Sequence, residues 1–207
     1  MTPMPPTPFG HGLSAARRRG SPWKGAPIGL ALLLTTASIA AAQPTTVILV
    51  RHAERAAEPR SDPILTEAGA QRARHLLAAL RYAGVTSIIT TQLQRTRLTA
   101  LPLADSLGIT PRVVRAGGMP VSAHADSVAA AVRARGPGEV VLVVGHSNTI
   151  PAIIAALGGP RFADLCESQY ASLFILELGA GGAPRMIHAT FGAADPPQAE
   201  DCNSMMR

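Results

Sequence analysis

The chain has 207 residues, of which 47% are hydrophobic and 15% charged, and its formal net charge at pH 7 is +6. Residues 1–42 hold four of the 19 basic residues and none of the 13 acidic ones, which leaves 15 basic and 13 acidic residues, a formal charge of +2, in the other 165 positions. A net charge this close to zero gives no support for nucleic-acid binding. The 165 residues are enough for one domain with a substantial core.

Residues 1–42 have the pattern of a secretory signal. Three arginines at 17–19 and Lys24 form a basic region, and residues 28–42 are an apolar and small-residue stretch that ends in three alanines. This combination is typical of a signal peptide with a cleavage site of the A-x-A type. We therefore expect cleavage near Ala42 and export to the periplasm or the extracellular space, with membrane contact only during export. An uncleaved anchor is the alternative, although the apolar stretch is shorter than the about 20 residues that span a bilayer.

After residue 43, strand-like and helix-like segments alternate along the chain. The strand-like segments are short, apolar and rich in β-branched residues, whereas the helix-like segments are longer and are bounded by glycine or a polar cap. The predicted strands are 46–50, 87–90, 112–115, 139–144, 171–178 and 185–191, and the predicted helices are 65–82, 93–107, 122–135 and 149–157. We expect Thr66 to cap the first helix, Pro102 to interrupt the second and Gly108 to end it. The glycine-rich segment 179–182 predicts an antiparallel pairing of the last two strands.

This order of elements predicts an α/β fold. Strands that alternate with helices form a parallel or mixed sheet covered on both faces, so we expect a three-layer sandwich with a mostly parallel central sheet flanked by helices. The sequence indicates one domain over residues 43–195, followed by a polar tail over residues 196–207. In such sheets, ligands bind beyond the C-terminal ends of the strands.

Chemically useful side chains follow three of the predicted strands at that edge. Arg51 and His52 follow the first strand, Arg95 lies in the first turn of the helix after the second, and residues 145–148 (Gly-His-Ser-Asn) follow the fourth. Guanidinium groups and a helix N-terminus favour an anion, and an imidazole can attack phosphorus. Each residue taken singly also fits an ordinary surface or structural role. Their conjunction at separate strand ends predicts a phosphate pocket.

Four sequence blocks resemble the signatures of a known family in the right order. Residues 51–54 (Arg-His-Ala-Glu) resemble its Arg-His-Gly-Glu motif, and residues 65–71 its Leu-Thr-x-x-Gly-x-x-Gln segment. Residues 90–100 resemble its Ser-Ser-Pro-Leu-x-Arg block, and residues 145–149 its Gly/Ala-His-Gly-Asn-Ser turn. The family is the histidine phosphatase (phosphoglycerate mutase-like) superfamily, and the resemblance extends over about residues 45–192.

The resemblance implies a mechanism and a set of site residues. Nε2 of His52 would attack phosphorus and form a phosphohistidine, which water would then hydrolyse, with a backbone carbonyl at Nδ1 fixing the tautomer. No metal or cofactor is required, and the cysteines, histidines and acidic residues show no metal-ligand spacing. The implied catalytic residues are His52, Arg51, Arg95 and His146, and the implied substrate-binding residues are Arg51, Arg95, Ser147 and Asn148.

The resemblance does not identify the general acid. Many members of the family protonate the leaving oxygen with a glutamate between the second arginine and the second histidine. Here the candidates are His124 and Asp126, near the start of a predicted helix, and Glu54 or Glu58, close to the first motif. Solvent-exposed or helix-capping roles for His124 and Asp126 are the alternative.

The sequence thus predicts a metal-independent phosphatase that acts on a small phosphorylated substrate, with no nucleic-acid partner. A mutase is disfavoured because the short chain leaves little room for an inserted lid. The alternatives are a non-catalytic phosphate-binding or interaction domain on the same fold, and a structural protein of the cell envelope. We expect the loops at about residues 54–64 and 112–125 to rim the pocket and set specificity. The sequence leaves open whether Cys166 and Cys202 form a disulfide or stay free thiols.

Overall fold

The computed structural model describes residues 43–179 and 182–197. The predicted signal segment, Cys202 and most of the predicted tail lie outside these residues, so the export, cleavage and disulfide hypotheses stay predictions. The strands are β1 (Thr45–Arg51), β2 (Ser87–Thr90), β3 (Arg112–Val113), β4 (Val140–Gly145), β5 (Ser172–Leu178) and β6 (Arg185–Thr190). The helices are α1 (Glu67–Leu80), α2 (Gln94–Leu107), α3 (Val121–Arg133) and α4 (Thr149–Ala156).

The strands form one six-stranded mixed sheet in the order β3-β2-β4-β1-β5-β6. The pairs β3–β2, β2–β4 and β4–β1 are parallel, whereas β5 runs antiparallel to both β1 and β6. The predicted α/β class, the mostly parallel sheet and the antiparallel last pair are therefore confirmed. Residues of β1 alternate between two cores: Val47 and Leu49 belong to one, and Ile48 and Val50 belong to the other.

The two cores lie on opposite faces of the sheet, as the alternation along β1 requires. One core includes Val128 of α3 and Ile153 of α4, and the other includes Leu76 of α1 and Leu103 of α2. Helices α1 and α2 pack against each other, and so do α3 and α4. The predicted three-layer arrangement, with helices on both faces, follows from these contacts. No helix among the described residues is long and apolar enough to cross a membrane.

The element boundaries differ from the predicted ones in two instructive places. The predicted strand 112–115 is reduced to two paired residues, Arg112 and Val113, and the Val114 amide makes one further hydrogen bond to the Thr90 carbonyl of β2. Helix α2 runs continuously through Pro102, so the predicted interruption is wrong; a proline removes one backbone hydrogen bond, and the packed face of α2 offsets this loss. Thr66 caps α1 by accepting a hydrogen bond from the Gly69 amide, and Gly108 ends α2 with φ 66°, both as predicted.

The register of the sheet determines where the predicted site residues lie. Arg51 of β1 pairs with Gly145 of β4, so the two strands end at the same level. The His52 amide continues this ladder by donating to the Gly145 carbonyl at 2.9 Å. As a result, His52 and His146, which follow the two strands, emerge side by side at the C-terminal edge of the sheet.

Candidate active site

His52 and His146 form the centre of a cavity at this edge. Their ring centroids are 5.3 Å apart, in an edge-on arrangement. The cavity has a volume of about 710 Å³. Its lining includes all six residues predicted for phosphate binding and catalysis, which are Arg51, His52, Arg95, His146, Ser147 and Asn148. The structure therefore brings together residues that lie more than 90 positions apart in the sequence.

The His52 ring is oriented by its own backbone. Nδ1 lies 2.8 Å from the Ala53 carbonyl oxygen, which can only accept, so Nδ1 carries the proton and Nε2 keeps its lone pair. The pKa of His52 is lowered to about 3, chiefly by burial; the hydrogen bond to Ala53 opposes this shift, and the proximity of His146, Arg51 and Arg95 adds to it. At neutral pH His52 is thus a neutral imidazole with a free nucleophilic nitrogen.

A buried threonine holds the segment that orients His52. The Thr99 hydroxyl accepts a hydrogen bond from the Ala53 amide at 2.9 Å and donates to the Arg95 carbonyl at 2.7 Å. Thr99 is fully buried, and so is Ala53, whose methyl group fits where the family has a glycine. This chain of hydrogen bonds ties the end of β1 to the first turn of α2, so His52 and Arg95 keep a fixed separation.

The Arg51 guanidinium donates most of its hydrogen bonds to other parts of the protein. Its Nη1 group donates to the carbonyl oxygens of Cys166, Glu167 and Gln169, at 2.7 to 3.1 Å. Its Nη2 group donates to the Glu167 carboxylate at 3.0 Å, and the guanidinium lies 4.2 Å from the centre of the Tyr170 ring. Nε has no hydrogen-bond partner among the described residues. Arg51 therefore anchors the loop at 166–170 to the end of β1, in addition to lining the cavity.

Arg95 has a side-chain donor that is available to a ligand. Its Nε is buried without a hydrogen-bond partner among the described residues. Burial lowers the pKa of Arg95, as do the nearby charges of Arg55 and Arg51, while Asp62 opposes them. Asp62 also occupies a backbone donor at the N-terminus of α2, since its carboxylate accepts a hydrogen bond from the Gln94 amide at 2.8 Å. The Arg95 guanidinium therefore keeps a donor for a ligand, whereas the Gln94 amide at the start of α2 is already occupied.

His146 is also neutral. Burial lowers its pKa to about 3, with smaller effects from the charges of Arg95, His124 and Arg51. Its Nε2 lies 3.2 Å from the Thr91 hydroxyl, and Nδ1 is buried with no partner in the part of the chain that the structure describes. Because both histidines are uncharged, the positive charge of the cavity comes from its arginines.

The structure separates the candidate general acids. His124 is buried, lines the cavity, and has Nδ1 at 3.0 Å from the Arg115 carbonyl, so its Nε2 is free. Asp126 is exposed on α3 and does not line the cavity. Glu58 is exposed beside Arg60.

The Glu54 side chain has a structural role. Its carboxylate accepts hydrogen bonds from Nε and Nη2 of Arg72 at 2.7 to 3.0 Å, and Arg72 also donates to two backbone carbonyls. The Glu54 carbonyl accepts the Thr66 amide at 2.9 Å. A methyl group on Gly69 would collide with that same carbonyl, which explains why this helix needs glycine there. Glu54 is therefore a link between β1 and α1 and lies outside the cavity lining.

Sequence reasoning missed several residues of the cavity. Gln92, which stands where the family has a proline, exchanges two hydrogen bonds with the Ala116 backbone, at 2.6 and 2.8 Å. Arg55 lines the cavity, and so do the exposed carboxylates Asp164 and Glu167. The departure at Gln92 was visible in the sequence, but its partner lies 24 positions away. No pattern marked Asp164 or Glu167.

The acidic and histidine side chains do not suggest a metal centre. In the part of the chain that the structure describes, no group of three or more His, Cys, Asp or Glu side chains could hold a metal ion.

Comparisons with known proteins bear on the family. Residues 47–116 match the family model described as the histidine phosphatase superfamily (branch 1). No curated protein sequence matches the chain significantly.

Solved structures with similar folds extend the comparison. A mycobacterial glucosyl-3-phosphoglycerate phosphatase is 19% identical, with a TM-score of 0.57 over 73% of this chain and 100% of its own. YhfR from Bacillus stearothermophilus is 23% identical, with a TM-score of 0.54 over 73% of this chain and 96% of its own. A phosphoserine phosphatase mutant from Entamoeba histolytica, in complex with phosphoserine, is 14% identical, with a TM-score of 0.53 over 71% of this chain and 96% of its own. At these identities the structures show a shared fold. Together with the match over residues 47–116, they agree with the resemblance to the histidine phosphatase superfamily found in the sequence.

Proposed function

We propose that the chain is a metal-independent phosphatase that hydrolyses a small phosphorylated compound through a phosphohistidine at His52. The match of residues 47–116 to the histidine phosphatase superfamily model and the fold shared with phosphatases support the phosphatase activity. The single observation that carries the mechanism is a neutral His52, with Nε2 free, facing a cavity that holds the unpartnered Nε of Arg95.

The reaction begins with attack by the Nε2 lone pair of His52 on phosphorus, which forms an N–P bond as the bond to the leaving oxygen breaks. Arg95, Nε of Arg51 and His146 donate hydrogen bonds to the phosphoryl oxygens and stabilise the charge that develops on them. Ser147 and Asn148 contact the substrate from the turn after β4. Water then attacks phosphorus, the N–P bond breaks, and inorganic phosphate and neutral His52 are released.

We assign the general acid to His124. Its Nδ1–H is held by the Arg115 carbonyl, so a second proton would occupy Nε2, the nitrogen left free to deliver it to the leaving oxygen. The other candidates lack this access, since Asp126 is exposed away from the cavity and Glu54 is paired with Arg72.

Turnover of p-nitrophenyl phosphate in the presence of a chelator tests the activity. We expect wild-type protein to be active and His52→Ala to fall to background. Rapid quenching should trap a phosphoenzyme that is stable in base and labile in acid, as an N–P bond is, and His52→Ala should not form it. Wild-type protein that binds phosphate without turnover would instead be a phosphate-binding domain, and the proposal would be wrong.

A comparison of leaving groups tests the acid. His124→Gln should reduce kcat/KM for an alkyl phosphate by about 10²-fold or more, because the alkoxide needs a proton, and should reduce it far less for p-nitrophenyl phosphate. Asp126→Asn is the matched control on the same helix and should leave both values near wild type. Equal losses on the two substrates in His124→Gln would rule out the acid role.

We also propose that residues 1–42 direct export and that the mature protein begins near Gln43. N-terminal sequencing of the exported protein should find this end, and retention of the full leader would favour the anchor. Mass spectrometry without reduction should show Cys166 linked to Cys202; free thiols in the exported protein would refute the pairing.

A further inference from the structure

A second, strongly basic cavity adjoins the candidate active site. It has a volume of about 430 Å³ and is lined by Arg55, Ala57, Arg60, Ser61 and Arg95. Arg55 and Arg95 also line the larger cavity that contains His52, so the two cavities share a wall. Three of the five lining residues of the smaller cavity are arginines.

The charges in this cavity are poorly compensated. The Arg55 guanidinium makes no hydrogen bond or ion pair with any residue that the structure describes, and Nε of Arg95 is buried without a partner. The two cations are close enough for the charge of Arg55 to lower the pKa of Arg95. Within residues 43–179 and 182–197, the Arg60 side chain forms an ion pair with Glu58 alone, at 3.4 Å, and both side chains are at least 73% exposed. An exposed pair of this kind contributes little, so a bound anion can displace it.

The loop that carries Arg55 and Arg60 is held in place at both ends. Arg55 forms a β-bridge with Leu65, and the Ala56 amide donates to the Ile64 carbonyl at 2.9 Å. Asp62 accepts the Gln94 amide, and the Gln94 side chain donates to the Asp62 carbonyl. The backbone therefore keeps Arg55 near Arg95 despite their repulsion. Arginines held close together with little counter-charge are a feature of anion sites, because a bound anion reduces their repulsion.

We propose that Arg55 and Arg60 form a second anion subsite, and that the substrate carries a second anionic group, a carboxylate or another phosphate, next to the phosphoryl group that reacts at His52. This inference rests on the proposed phosphatase function. Arg95, shared by the two cavities, lies between the two anionic groups of such a substrate. A phosphate monoester with a neutral or cationic remainder leaves the second subsite empty.

Matched pairs of substrates test the subsite. O-phosphoserine and O-phosphoethanolamine differ by one carboxylate, and propane-1,3-diyl bisphosphate and propyl phosphate differ by one phosphate. We expect wild-type kcat/KM to favour the doubly anionic member of at least one pair; the pair that shows this identifies the second group. Arg55→Gln and Arg60→Gln should reduce that preference by about 10- to 100-fold, the range for a lost charge-assisted hydrogen bond. Arg97→Gln, which removes an exposed arginine from α2 outside both cavities, should leave the preference unchanged.

The outcomes separate the subsite from the activity. An unchanged preference in Arg55→Gln and Arg60→Gln, or equal losses on both members of each pair, would overturn the subsite while the phosphatase proposal stands. If the wild-type protein has no turnover, calorimetry at low salt still decides the subsite with matched non-hydrolysable ligands. The protein should bind 3-phosphonopropionate more tightly than ethylphosphonate, and Arg60→Gln should remove the difference. Equal affinities in wild-type protein would overturn it.

Discussion

Replacing His52 and His146 by glutamine, singly and together, tests the neutral state of both rings through the stability of the fold. Both rings have a pKa of about 3 in the folded chain, against 6.5 for an ordinary histidine, chiefly because both are buried. As the pH falls below 6.5, the unfolded chain takes up protons that the folded chain does not. The free energy of unfolding therefore falls between pH 6.5 and about pH 3.

The two pKa values give the size of the effect. At pH 5 an unfolded histidine is almost fully protonated, whereas each buried ring is still neutral. Each ring then lowers the free energy of unfolding by about 2 kcal/mol relative to pH 8, and the two together lower it by about 4 kcal/mol. Other groups that titrate in this range are common to the wild type and the variants, so they cancel in the comparison.

Urea denaturation at pH 5 and pH 8, followed by circular dichroism, measures this quantity. The difference in unfolding free energy between the two pH values should be smaller by about 2 kcal/mol in each single variant and by about 4 kcal/mol in the double variant. Hydrogen bonds lost through the substitution affect both pH values and do not enter the difference. A double variant with the same pH dependence as the wild type would refute the neutral, buried state of the pair.

Three further substitutions test the supports of the site. Thr99→Val leaves the buried Ala53 amide without an acceptor and should cost about 1–3 kcal/mol, a fall in Tm of about 2–12 °C, whereas Thr99→Ser should melt near the wild type; equal melting of the two variants would contradict the linking role of the hydroxyl. Gly69→Ala brings a methyl group onto the Glu54 carbonyl and should destabilise the fold by about 1–3 kcal/mol in urea; an unchanged midpoint would mean that α1 shifts without cost. Gln92→Leu frees the loop before α3 and should slow alkyl phosphate hydrolysis more than p-nitrophenyl phosphate hydrolysis; equal slowing would show that the loop does not position the acid.

The sequence predicted the centre of the site because the required information is local. A buried strand that ends in Arg51 and His52 and another that ends before His146 must both deliver their next residues to the C-terminal edge of a parallel sheet. The alternation of strand-like and helix-like segments likewise predicted a sheet with helices on both faces. These inferences depended on residue order and pattern, and the pairing of β1 with β4 agrees with them.

The roles of the acidic and basic side chains could not be predicted in this way, because each depends on a partner that is distant in the sequence. Glu54 is held by Arg72, 18 positions away, and so lies outside the cavity lining, although its motif suggested the site. The three carbonyls that occupy Nη1 of Arg51 lie at least 115 positions beyond it. A single sequence does not show which charged side chains will pair in the folded protein.

The sequence by itself determined the sheet, the strand ends and the pair of histidines, because burial of apolar strands dictates where their polar ends emerge. Only the tertiary structure decided that both imidazoles are neutral, that His124 alone among the candidate acids faces the cavity, and that Arg55 and Arg60 flank a second one. Those properties arise from desolvation and from charge pairs between separate segments, which exist only after the chain has folded.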